Sequence, residues 1–151
     1  MAKGLMVAMM GPPIECTEEF NAWYDTEHLP QRAGCKGFDT ALRFVATEGW
    51  PRYVAIYDLD SLDVLNSPGY ATFAGRNSSP WSKRMLTKTT GNWRFTGNQV
   101  HPGSAVTGER GVVADACLAA AETRIVVTHG TDTMVETAAA IIPERNFRFR
   151  Q

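Results

Sequence analysis

Phe38-Asp39-Thr40-Ala41-Leu42-Arg43-Phe44-Val45, a turn around Glu48-Gly49-Trp50-Pro51, and Tyr53-Val54-Ala55-Ile56-Tyr57-Asp58-Leu59 together form the stretch that decides the fold. In the first run Phe38, Thr40, Leu42 and Phe44 alternate with Asp39, Ala41, Arg43 and Val45. That is the period-two pattern of a strand, and the second run repeats it. With a Gly and Pro turn between them, the two runs read as an antiparallel hairpin.

On the N-terminal side, Leu5 to Met10 is a short apolar run closed by Gly11-Pro12-Pro13, which suits a buried strand. Thr17 can then cap a helix with Glu18 and Glu19 in its first turn and Phe20, Trp23 and Tyr24 on its apolar face. Pro30 predicts that this helix ends near His28-Leu29. Past the hairpin, Leu62, Val64 and Leu65 mark one helical piece. Ser67-Pro68 is a cap and first turn for another, which carries Tyr70 and Phe73. Residues 75–80 read as a loop and Trp93-Arg94-Phe95-Thr96 as a last strand.

Strand, helix, strand, strand, helix, strand is the split βαβ order, so the fold class expected is α+β, ferredoxin-like, with both helices on one face of an antiparallel sheet. The other face would be bare, and in so small a domain a second copy is the simplest cover, giving a homodimer through the sheet faces.

The densest chemistry is Phe20-Asn21-Ala22-Trp23-Tyr24-Asp25-Thr26-Glu27-His28-Leu29-Pro30. Tyr24 and His28 are i and i+4 neighbours, so phenol and imidazole share one helix face. Asp25 and Glu27 can raise the imidazole pKa or fix its tautomer, and a helix C-terminus favours the protonated form. His28 could then exchange a proton near neutral pH beside a hydroxyl that polarises a carbonyl. In the plainer alternative His28 bonds the last helix carbonyls, and Tyr24 and Trp23 are core. Asp25, Glu27 and His28 are also three metal-ligand types, but Glu27 points away from Tyr24's side of the helix, and the next histidine is His101. No metal is expected, and no cofactor. Arg43, Arg52, Arg76, Lys83 and Arg84 are scattered and read as solvated surface.

Composition narrows the partners. The 151 residues carry 15 Lys and Arg against 16 Asp and Glu, a net charge of -1, so nucleic acid is a poor fit. No run approaches a membrane span, and the opening apolar stretch is too short for a signal peptide, which points to a cytoplasmic chain with no membrane partner. Cys16, Cys35 and Cys117 are odd in number with no paired spacing, so reduced thiols are expected. Every tryptophan, tyrosine and lysine precedes His101, whereas half the alanines follow it. Residues 1–103 are therefore expected to be one domain and 104–151 an extension that is not independent.

The run Trp23-Tyr24-x-x-Glu27-His28-Leu29-Pro30, with Gly37-Phe38, Arg43-Phe44, Pro51 to Leu59, Ser67-Pro68-Gly69-Tyr70 and Ser79-Pro80-Trp81, resembles the EthD-like proteins of the dimeric α/β-barrel superfamily over residues 4–100. The resemblance implies a ferredoxin-like protomer that pairs sheet to sheet and holds a pocket for a small apolar, often aromatic or polyketide-like molecule. By position it implies His28 as the acid/base group, Tyr24 as its neighbour, and Trp23, Tyr53, Tyr57 and Phe73 as pocket lining. Superfamily members include monooxygenases, isomerases, cyclases and heme-handling enzymes as well as proteins without known activity, so a non-catalytic ligand-binding or assembly role is the alternative.

In the extension, residues 109–122 read as a helix, residues 124–128 as a strand and residues 134–142 as a further helix. The run from Arg124 to Ala138 resembles the second signature of bacterial-type asparaginases, with Thr131 and Asp132 at the positions of that family's active residues. The chain has no Gly-Gly turn and no lysine after Lys88, so that machinery is incomplete and amide hydrolysis is not expected. The last residues, 145–151, suit an edge strand or a frayed tail.

Overall fold

A computed structural model describes residues 3–98, 110–115, 125–129 and 146–150. The order is β1 (Gly4–Gly11), α1 (Thr17–Trp23) continuing into α2 (Leu29–Ala33), β2 (Phe38–Glu48), β3 (Tyr53–Leu59), α3 (Pro68–Ala71), α4 (Pro80–Lys88) and β4 (Thr90–Asn98). The sheet runs β4-β1-β3-β2 across this unit, and every pairing is antiparallel. Because β3 lies between β1 and β2, the helix that joins those two strands crosses one sheet face, which makes the fold ferredoxin-like.

Three further strands, β5 (Arg110–Asp115), β6 (Ile125–His129) and β7 (Asn146–Arg150), extend the sheet past β2 in the order β2-β7-β5-β6. Here the expectation is corrected: Arg110–Asp115 is a strand, not the first part of a helix. The adjacent β-branched Val112 and Val113 favour an extended backbone, Gly111 disfavours a helix, and β6 and β7 supply partners on both sides. The last strand is neither frayed nor an edge, since β7 pairs with both β2 and β5. The second helix expected at 134–142 lies outside the described residues.

The first helix does not stop at Pro30. Between α1 and α2 the backbone makes a π turn over Tyr24–His28, in which the Leu29 N–H reaches the Tyr24 carbonyl, and α2 carries Pro30 in its first turn. A proline inside a helix lacks an N–H and crowds the carbonyl four residues back, and the wider π turn is the adjustment that keeps it in line. Thr17 is the first residue of α1 rather than its cap, because a 3-10 turn over Ile14–Cys16 leads into it. Ser67 does cap α3, accepting from the Tyr70 N–H at 3.2 Å, and Ser79 caps α4 in the same way through Ser82 N at 2.9 Å.

A bulge changes the hairpin's reading. Phe38 pairs with Leu59 but Thr40 with Asp58, so Asp39 is an extra residue. Phe38 therefore faces the helices with Ala41 and Val45, while Leu42 and Phe44 face the other way with Val7, Met9, Val54 and Ile56. On that second face Val7, Met9, Phe44, Val54 and Ile56 form a packed apolar layer, each at most 4% exposed.

Candidate functional site

Between the sheet and the helices lies a cavity of about 270 Å³. Met6 and Met10 of β1 and Tyr57 of β3 line its sheet side. Trp93 and Arg94 of β4, both exposed, stand at its edge. His28, Arg32 and Tyr70 close it from the helical side, and all three are buried. No helix among the described residues is long and apolar enough to cross a membrane, and none of those residues form a metal-ligating group of three.

The π turn sets the position of His28. Its ring packs at 4.3 Å from Trp23 and 4.8 Å from Tyr24, centroid to centroid, and its Nδ1 is buried with no hydrogen-bond partner. One helical turn on, Arg32 donates from Nη1 to the His28 carbonyl at 2.9 Å. Burial first and the Arg32 guanidinium second push the imidazole pKa down to about 2. The sequence predicts the opposite direction, and three contacts explain the reversal. The Asp25 carboxylate pairs with Arg43 at 2.9 Å. Glu27 accepts hydrogen bonds from Ser79 at 2.5 Å and Ser82 at 2.8 Å. The helix also continues past His28, so no C-terminal dipole acts there.

Tyr24 and Tyr57 are fully buried, and their hydroxyls lie 3.3 Å apart. Burial raises both phenol pKa values, that of Tyr57 well above the ordinary value, so both stay protonated and can donate. Of the residues expected to line a pocket, Tyr57 does so. Trp23, Tyr53 and Phe73 belong to the core packing between sheet and helices and are not among the cavity's lining residues. Trp23 donates from Nε1 to Ser82 Oγ at 3.0 Å, Tyr53 packs on Phe20 at 4.8 Å, and Phe73 sits against Tyr70 and under Arg32. Tyr24 reaches the site through Tyr57 and His28. Thr131 and Asp132 lie outside the described residues, as does His101.

Arg43 is not surface. Its side chain is 14% exposed, bonds Asp25 and Asn21, and lies over the rings of Tyr24 and Tyr53. Sequence reasoning also missed Arg32 and Arg94. Arg32 is the i+4 neighbour of His28, a relation hidden by taking Pro30 as the end of the helix.

The fold and this cavity define a ferredoxin-like α+β protein with an internal site between sheet and helices. Two solved structures are similar to it. One is a mutant of MhuD with two manganese protoporphyrin IX bound per active site, at 16% identity and a TM-score of 0.48, covering 68% of this chain and 99% of that one. The other is MhuD from Mycobacterium tuberculosis, a heme-degrader with two hemes bound in its active site, at 16% identity and a TM-score of 0.47, covering 67% and 99%. No protein-family model matches the sequence, and no curated protein matches it.

Proposed function

We propose that this chain is a small-molecule pocket protein of the EthD-like, dimeric α/β-barrel type, with residues 1–103 forming the pocket domain and 104–151 its extension. The observation that carries the reading is the cavity of about 270 Å³ lined in part by His28, whose Nδ1 is buried and has no hydrogen-bond partner. A buried polar atom without a protein partner is costly, and a ligand group on it would offset that cost. The site offers a neutral imidazole and the phenol of Tyr57, set among Met6, Met10 and Trp93. This combination suits an apolar carbonyl compound whose oxygen accepts from the phenol. Catalysis of a monooxygenase, isomerase or cyclase kind would use His28 as a base only against its burial and the charge of Arg32. Binding is therefore the primary role.

Saturation-transfer NMR with 2-acetonaphthone tests this. Transfer to the wild type that weakens in both His28→Leu and Tyr57→Phe supports the pocket, and equal transfer to all three proteins refutes it. Turnover of any bound ketone that disappears in His28→Leu would make the site catalytic.

A further inference from the structure

We infer that the cavity takes an organic anion, an aromatic carboxylate whose carboxylate group pairs with the Arg32 guanidinium, an inference that rests on the pocket reading above. Arg32 is 8% exposed and lines the cavity. Among the described residues, one of the five N–H donors of the guanidinium is engaged, by the His28 carbonyl, and the group lies 5.3 Å from the Phe73 ring centroid. No carboxylate among the described residues pairs with it, whereas Arg43 has Asp25 and Arg84 has Glu19. A buried cation without a counter-charge is held at a cost that an incoming anion offsets.

The rest of the wall agrees. Among the described residues, neither Asp nor Glu lines the cavity. A second lining cation, Arg94, also has no carboxylate partner among the described residues, its Nε facing the Met6 sulfur at 3.3 Å and its Nη2 the Tyr70 hydroxyl at 3.4 Å, both weak contacts. Arg94 is exposed at the edge and suits attraction of an anion, while Arg32 in the interior suits its final pairing. The charge of Arg32 also reaches the titrating groups around it, adding to the fall of the His28 pKa and opposing the rise that burial gives the Tyr24 and Tyr57 phenols. Of the two cations only Arg32 is buried, whereas Arg94 is screened by solvent at the edge, which favours a monoanionic carboxylate over a phosphate dianion. The methionines and Trp93 leave the remaining volume to an aromatic body.

The test is calorimetric binding of 2-naphthoate and the neutral 2-naphthamide to the full chain and to Arg32→Gln. The expected result is naphthoate binding at least about ten-fold tighter than the amide in the wild type, with that ratio reduced about five-fold or more in Arg32→Gln. A smaller ratio in the wild type, or one that survives the substitution, overturns the anion inference while leaving the pocket in place. Absence of binding by both compounds overturns the pocket reading itself. Should Arg32→Gln fail to fold, the Nε–H signal of Arg32 in 15N-labelled wild type replaces it: a shift on adding 2-naphthoate but not 2-naphthamide is expected, and no shift with naphthoate overturns the inference.

Discussion

Replacing His28 with Gln gives a direct reading of its charge state. The imidazole pKa falls from 6.5 to about 2 on folding, so the folded protein holds this site neutral while the unfolded chain takes up a proton below 6.5. Stability from this group is therefore fully present above pH 6.5 and is lost as pH falls from there toward the folded value. Between about pH 7.5 and about pH 5.0 the unfolded state gains roughly RT ln(1 + 10^1.5), or about 2 kcal/mol, while the folded state gains almost nothing. The window is chosen to exclude carboxylates: Glu19 and Asp60 have pKa values lowered by their Arg84 and Lys3 partners, and both contribute only below their ordinary values of 4.5 and 3.8. Urea denaturation of wild type and His28→Gln at both pH values measures the difference. The expected result is a wild-type loss about 2 kcal/mol larger than that of the variant. Equal losses in the two proteins would refute the buried, neutral imidazole and the reasoning built on it.

Other packing contacts give further outcomes. Tyr24→Phe leaves the Tyr57 hydroxyl without its 3.3 Å partner in the interior and is expected to cost about 1–3 kcal/mol, with part of the loss recovered in the double variant Tyr24→Phe, Tyr57→Phe, as read from a double-mutant cycle in urea. Ser82→Ala removes the acceptor of the Trp23 indole and a donor to Glu27, so a loss of about 1–3 kcal/mol and a changed tryptophan emission are expected; an unchanged spectrum and midpoint would count against a buried Trp23–Ser82 bond. Gly37→Ala meets a φ of 94° and places a Cβ 2.5 Å from Val64 Cγ2, so it is expected to destabilise by about 1 kcal/mol or more in thermal or urea unfolding.

The sequence by itself determined the order of the four strands β1 to β4 and the helices near 17–28 and 62–73, but left α4 (Pro80–Lys88) unread. Alternation in Tyr53 to Leu59, the apolar runs and the Ser67-Pro68 cap are local signals, and local signals survive into the folded chain. It also put Tyr24 and His28 side by side, because i and i+4 spacing is a property of any helix; the π turn altered the ladder there without separating them. Tertiary structure decided the rest. The Asp39 bulge exists only in the pairing of β2 with β3, so no period count along β2 alone places Phe38 and Phe44 on opposite faces. Arg110–Asp115 became a strand because β6 and β7 flank it, pairings that a local reading of the segment does not contain. Above all, the charge of His28 depends on how deeply the packed chain buries it, on Arg43 and the two serines drawing Asp25 and Glu27 away, and on Arg32 one turn along. Desolvation and through-space charge are set by three-dimensional neighbours, so the sequence could name the residue but not the direction of its shift.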